Sequence, residues 1–182
     1  MLISPPPLES RRLAFAAHTV DDFEECAAMW GDPNVTRFIG GRPASHEDVW
    51  NRLLRYAGLW SLLGFGYWAV RERVTGRYVG DVGFADFHRD LTPPLGRAPE
   101  VGWALASWAH GHGFASEAVG AVLAWGDEHL CSQMGEPARF VCIIAPDNLA
   151  SVRVAEKCGF RHAVQTTYKG HATDVYERFS RA

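Results

Sequence analysis

The chain has 182 residues, enough for one domain with a real core and too few for two comfortable ones. Apolar residues make up 47% and charged residues 21%, a globular composition far from the low-hydrophobicity regime of disordered chains. A net charge of −3 with no run of like charges leaves no basic footprint for nucleic acid. The opening Met1-Leu-Ile-Ser-Pro-Pro-Pro-Leu8 has no charged segment followed by a long apolar one, and no stretch of about 18 uninterrupted apolar residues occurs. A cytoplasmic protein is expected, one domain over 1–182 with about ten residues of flexible tail at its start. Cys26, Cys131, Cys142 and Cys158 form no C-x-x-C pair, so neither a disulfide nor a zinc site is expected.

In chain order, Arg12-Leu-Ala-Phe15 predicts a first strand. Thr19-Val-Asp-Asp22 places a capping residue three before an acidic one, ahead of Phe23, Cys26, Ala27 and Trp30 on one stripe; a first helix follows, closing at Gly31. Ser45-His-Glu-Asp48 repeats that cap before Val49, Trp50, Leu53, Leu54 and Ala57, a second helix with Gly58 as its stop. Val35 to Pro43, between the two, reads as a glycine-rich loop. From Gly66 the period changes, and Tyr67, Ala69, Tyr78, Val79, Val82, Phe84 and Phe87 form two strands around the Thr75-Gly76 turn. Arg89 to Pro99 is a loop leading to a fourth strand at Glu100. Beyond the next helix, Gly135-Glu-Pro137 precedes a fifth strand at Phe140-Val-Cys-Ile-Ile144. Asn148 then caps a fourth helix that Gly159 stops, and Arg161–Lys169 with Thr173–Arg178 close the chain as an antiparallel pair.

The stretch from Glu100 to His129 carries the chemistry. Glu100 to Leu105 is a short apolar strand, and Ala115, Ala118, Val119, Val122 and Leu123 recur at the spacing of one helical face. Between them lies His110-Gly111-His112-Gly113-Phe114-Ala115-Ser116. Two glycines let the backbone fold into a concave turn whose N–H groups converge on one oxyanion, and the helix adds its unpaired N–H groups and positive dipole end. Such a loop is a phosphate cradle. It lacks the Gly-Lys-Ser/Thr ending of a triphosphate loop and the three-glycine spacing of a dinucleotide fingerprint, and taken alone it also reads as a tight connection with no ligand. His110-x-His112 has no partner cysteine or carboxylate at ligand spacing, so no metal is expected.

Pro146-Asp-Asn148-Leu-Ala-Ser151-Val-Arg-Val-Ala-Glu156-Lys157-Cys-Gly159-Phe160 completes the pattern. With the cradle it resembles the acyl-CoA-binding half of the GNAT acetyltransferase superfamily. Asn148-x-x-Ser151, Glu156-Lys157-x-Gly159-Phe160 and the early Asp32-Pro33-Asn34-Val35-Thr36-Arg37-Phe38 resemble its ribosomal-protein N-terminal acetyltransferase (RimJ/RimL-like) branch. The element order already argues a mixed α/β sheet covered on both faces. The resemblance implies a mostly antiparallel sheet of about seven strands with a splayed pair, flanked by about four helices. It also implies acetyl-CoA as cosubstrate, its pantetheine arm lying between the fourth and fifth strands against Trp103, Ala104 and Leu105. Residues His110, Gly111, His112, Gly113, Phe114, Ala115 and Ser116 would then hold the pyrophosphate. The superfamily usually has glutamine or arginine where His110 stands, a departure that leaves the backbone contacts intact.

Acetyl transfer from a thioester needs a neutral amine, a stabilised carbonyl oxygen and a proton for the leaving thiolate. Glu100 at the head of the fourth strand is the candidate to take the amine's proton; otherwise it is a solvated strand end or an ion-pair partner. Ser151 is the candidate to protonate the thiolate, because the family's tyrosine position is Ala155 here; otherwise its hydroxyl serves the helix start. Asn148 can cap that helix, bond the pantetheine amide, or both. Arg37, Trp30, Trp60, Trp68 and Trp108 are candidates for the acceptor border, though tryptophans usually pack in cores. The acceptor is expected to be the α-amine of a protein, peptide or small amino compound, because an α-amine with a pKa of about 7.7–8.0 is neutral far more often at pH 7 than a lysine near 10.4. The alternatives are another acyl group or an antibiotic-like amine on the same fold, or a catalytically silent acyl-CoA-binding module. No nucleic acid or membrane partner is expected, and the protein would be a monomer or homodimer.

Overall fold

The computed structural model describes residues 4–131 and 137–180; the expected turn at Gly135 and Glu136 lies outside them. Eight strands form one sheet in the order β1-β2-β3-β4-β5-β6-β8-β7. They are β1 (Leu8–Glu9), β2 (Leu13–Ala16), β3 (Tyr67–Glu72), β4 (Tyr78–Ala85), β5 (Glu100–Leu105), β6 (Arg139–Ile144), β7 (Arg161–Tyr168) and β8 (His171–Phe179). Every neighbouring pair is antiparallel except β5 and β6, which run parallel. The eighth strand corrects the expected tail. Leu8 pairs with Phe15 and Glu9 with Ala14, and the Trp68 indole N–H donates to the Pro6 carbonyl at 2.9 Å, so the segment after the prolines closes the sheet edge.

Five α-helices are described: α1 (Phe23–Trp30), α2 (Pro33–Thr36), α3 (His46–Leu63), α4 (Phe114–His129) and α5 (Leu149–Lys157). Two differ from expectation. The first residues of the predicted 35–43 loop belong to α2, a single turn started by Pro33 and capped by Asp32, whose carboxylate accepts from the Asn34 amide at 2.8 Å. Helix α3 runs through Gly58 because Leu59 and Trp60 continue its buried stripe; it stops at Gly64, whose φ of 74° is the left-handed conformation glycine adopts without strain.

The sheet buries two unlike faces. Trp68, Val70, Val82, Phe84, Val101 and Leu105 meet Ala118, Val119, Val122 and Leu123 of α4 in one apolar core. On the other face Ala69, Tyr78 and Ala104 pack with Trp30, Val49 and Leu53, and Tyr67 with Tyr56 and Leu59. The alternation along β5 therefore sends Val101, Trp103 and Leu105 toward α4, and Glu100, Gly102 and Ala104 toward α1 and α3.

A polar cluster ties that second face together. The fully buried Asp81 carboxylate accepts from Trp30 Nε1 at 2.7 Å, from the Tyr56 hydroxyl at 3.3 Å and from the Tyr78 hydroxyl, and it meets His18 Nε2 at 2.8 Å. Cys26 Sγ lies 3.1 Å from the Tyr78 hydroxyl. His18, Cys26 and Asp81 thus bring three ligand-type atoms within 4.8 Å of one another, in a cluster whose hydrogen bonds already occupy them. Burial alone would push the Asp81 pKa up; the hydrogen bond and charge of His18, with the bonds from Tyr78 and Trp30, outweigh it and hold the carboxyl below its ordinary value. Asp81→Asn should destabilise the fold by about 2 kcal/mol or more, since an amide presents N–H toward donors and leaves one unpaired. Because the folded-state pKa is lowered, the carboxylate's contribution is present above about pH 4 and disappears as pH falls further. Urea melts of both proteins from pH 7 to pH 3 should show the gap shrinking at the acid end.

Candidate active site

Strands β5 and β6 pair at one register, Glu100 with Val141, supported by a 3.1 Å bond from the Val141 amide to the Pro99 carbonyl. Beyond that point they part. Because the strands are parallel, the wedge opens toward both of their C-terminal ends, where β5 feeds the glycine loop and β6 feeds α5. Gly102 and Trp103 are half-buried along it, while Ala104 and Leu105 are buried.

The loop stands at the open end. His110, Gly111, His112 and Gly113 are exposed, and Gly111 and Gly113 have φ of 79° and 77°, with Gly113 as the N-cap of α4. A Cβ added at Gly111 would meet no atom within 4 Å, so these positions are glycine for conformation and leave open space in front of the loop. The His110 ring turns away from that space: its Nε2 lies 2.8 Å from the Leu105 carbonyl. Phe114 is a core side chain, and Ala115 and Ser116 continue the first turn.

The back of the loop is held by a residue the sequence did not single out. The Arg12 guanidinium donates to the His112 carbonyl at 2.9 Å and to Glu117 at 2.7 Å, and lies over the Phe114 ring at 4.5 Å. Glu117 also accepts from the Ser10 hydroxyl and the Arg12 amide, each at 2.7 Å. Burial raises the Glu117 pKa, but these bonds outweigh it and leave the carboxyl below its ordinary value. The N-terminal segment thus fixes the first turn of α4. No periodicity could reveal this, since Arg12 and Glu117 are far apart in the chain.

Across the wedge, the Asn148 side-chain oxygen accepts from the Ser151 amide at 3.2 Å and caps α5. That leaves its NH₂ group free of the capping role. The Ser151 hydroxyl is half-buried and makes no hydrogen bond among the described residues. Ala155 is fully buried in the core.

These features have counterparts. The Acetyltransferase (GNAT) domain model matches residues 12–161. The chain belongs to the GNAT acetyltransferase family. It is 30% identical over 160 residues to the uncharacterized N-acetyltransferase YoaA of Bacillus subtilis (strain 168), covering 86% of this chain and 83% of that one. A GnaT-family acetyltransferase from Bordetella pertussis superposes with a TM-score of 0.81 at 30% identity, over 96% of this chain and 99% of that one. RimL, a ribosomal L7/L12 alpha-N-protein acetyltransferase solved in complex with coenzyme A, shares the fold with a TM-score of 0.75 at 17% identity, over 96% and 98%.

In this GNAT acetyltransferase Glu100 lies at the closed end of the wedge, and its carboxylate is doubly bonded: Arg89 Nε donates at 2.6 Å and Nη2 at 2.7 Å. Arg89 is itself held over the rings of Phe87 and Tyr168, at 4.6 and 4.7 Å from their centroids. Such a bidentate pair engages both carboxylate oxygens, so neither is free to act as a direct base while Arg89 holds them. Tyr67 on β3 is a further candidate that sequence reading missed. Its hydroxyl would lie 1.9 Å from a Cβ at position 102, so glycine there is what admits the phenol to the wedge. Burial first, and then the Glu100 charge, push the Tyr67 pKa up, so it stays a neutral donor. The one legible trace was a glycine inside an apolar strand.

The expected acceptor border is largely core. Trp60 and Trp68 are buried beneath α4 with Trp125, Trp108 donates to the Tyr78 carbonyl, and Arg37 is an exposed residue over Phe38. Trp30 lies on the α1 and α3 side of the sheet, beneath Arg52 at 3.6 Å. Replacing Gly113 with valine should raise the dissociation constant for CoA by about tenfold or more, through the φ of 77° that valine resists. Arg12→Ala should weaken CoA binding less, since it loosens the loop without blocking it. Calorimetric titration with CoA checks both, and an unchanged affinity in a folded Gly113→Val protein would remove the loop from the cofactor site.

Proposed function

We propose that the protein transfers an acetyl group from acetyl-CoA to the α-amine of a peptide, protein or small amino compound. The observation that carries this reading is the wedge: strands that pair at one register, with a glycine-capped helix start and a free serine hydroxyl at the end where they part. The backbone of Gly111 to Ser116 would take the pyrophosphate, and the open edge of Trp103 to Leu105 the pantetheine arm. The Asn148 NH₂ group would bond a pantetheine amide. When bound, acetyl-CoA supplies an activated acetyl thioester.

The chain's own groups then have three tasks. Ser151 donates its hydroxyl proton toward the departing sulfur. The neutral Tyr67 hydroxyl lies on the acceptor side of β5 and donates a hydrogen bond to charge developing there. Glu100, held in place by Arg89, attracts the incoming ammonium and receives its proton through water. An α-amine suits a site whose carboxylate is already engaged by Arg89, because it loses its proton near neutrality with little help.

The test is thiol release with a panel of free-N-terminal peptides, N-acetylated lysine peptides, small amines and aminoglycosides, with products located by mass spectrometry. Acetylation of α-amines in preference to lysine side chains at pH 7 is expected. The rate should rise with pH as the acceptor amine titrates, since the deprotonated form attacks. Ser151→Ala should lower kcat by about tenfold or more while CoA affinity stays within a few-fold. A preference for internal lysines, or a Ser151→Ala variant that loses affinity and keeps kcat, would refute the respective assignment.

A further inference from the structure

On the acceptor face, residues 39–44 and the start of α3 enclose an open cleft of about 270 Å³. Arg42, Arg52, Arg55, Asp48 and Asn51 line it. Three guanidinium groups thus face one carboxylate, in a chain whose net charge is −3. That carboxylate is already engaged: Asp48 accepts from the Ser45 amide and hydroxyl at the head of α3 and lies 3.5 Å from Arg42.

Arg52 has no such partner. Its guanidinium is stacked 3.6 Å over the Trp30 ring, its Nε is buried without a hydrogen-bond acceptor, and among the described residues neither it nor Arg55 forms an ion pair with a carboxylate. A donor buried without an acceptor is uncommon and points to a missing partner. The Trp30 indole N–H is committed to Asp81, so the plane on which Arg52 rests is fixed.

The cleft leads to the wedge. Arg55 lies 5.4 Å from the centroid of Phe87, the ring that Arg89 covers at 4.6 Å while it holds Glu100. Tyr56, one position beyond Arg55, stacks on Tyr67 at 4.6 Å, and the Tyr67 hydroxyl abuts Gly102. These packed contacts place the arginine-lined cleft beside the segment that carries Tyr67, Gly102 and Glu100.

We propose that the acceptor carries a carboxylate close to its amine, and that Arg52, assisted by Arg55, holds that carboxylate in this cleft. The inference rests on the acetyl-transfer reading above and narrows its substrate class. Arg52 lies beside the Tyr56 hydroxyl and the buried Asp81 charge, but no carboxylate among the described residues pairs with it or with the exposed Arg55; planar guanidinium groups match a carboxylate, and the same charges repel polycationic amines. The carboxylate is either the α-carboxylate of a free amino acid or an acidic side chain near a peptide's N-terminus.

Matched acceptors decide it: free amino acids against their amides, and short peptides with acidic against neutral second and third residues. In the native protein, kcat/KM should favour the carboxylate-bearing member by about tenfold or more, mainly through KM. Arg52→Gln should bring that ratio toward one. Arg55→Gln should reduce it as well, and it guards against misfolding caused by unstacking Arg52 from Trp30; melting temperature and CoA affinity report on the fold of each. A preference confined to amino acids or to acidic peptides identifies the source, and either supports the proposal. Equal kcat/KM for neutral and anionic acceptors, or a ratio that survives both substitutions, overturns the anion site while acetyl transfer stands. Failure to acetylate any amine instead refutes the acetyl-transfer reading. The cleft is then judged by calorimetry with glutarate against glutaramide: the dicarboxylate should bind, about tenfold more weakly in Arg52→Gln, and equal binding of the two probes overturns the proposal.

Discussion

The parting of β5 from β6 after the Glu100–Val141 pair is the constraint on which the rest of the site depends. A strand edge inside a sheet normally has its N–H and C=O groups satisfied by a neighbour, and leaving such an edge open is costly unless something else fills it. In this protein the parting lies in the middle of an eight-stranded sheet, where β5 and β6 are paired at a single register. The two halves are held to either side of it independently: β1 to β5 by antiparallel ladders beneath α4, and β6 to β8 by their own.

Around that gap the molecule divides its chemistry by face. The α4 side is apolar, with Trp60, Trp68 and Trp125 packed edge to face, and it ends in the glycine loop that Arg12 and Glu117 lock from behind. The α1 and α3 side is built on polar groups within an apolar frame. Asp81 gathers Trp30, Tyr56, Tyr78 and His18, and those fixed rings in turn support Arg52 and Tyr67. Buried polar clusters of this kind hold side chains in one arrangement when fully satisfied. Such rigidity suits the face on which an acceptor amine must be aimed within a fraction of an ångström.

Arg89 shows how position and charge can pull in different directions. It draws Glu100 into a bidentate pair at the apex of the wedge, which places a carboxylate there and at the same time occupies both of its oxygens. The fold alone selects no acceptor.

The sequence by itself determined the elements with strong local signals. The Ser45 and Thr19 capping boxes, the Thr75-Gly76 hairpin, the glycine loop before α4 and the Asn148 cap of α5 all lie where neighbouring residues dictate backbone conformation. The shape of the glycine loop was legible for the same reason, because glycine conformations and a helix start are local properties. Only the tertiary structure decided where α3 ends, since burial of Leu59 and Trp60 outweighs the weak helix propensity of Gly58. It also turned the supposed tail into β1, through pairing that no window of sequence contains. The same holds for the ion pairs and stacks around the site, Arg89 with Glu100, Arg12 with Glu117 behind the glycine loop, and Arg52 over Trp30 on the α1 and α3 side. They join residues distant in the chain, and their energy depends on distance, burial and competing partners that exist only after the sheet has formed.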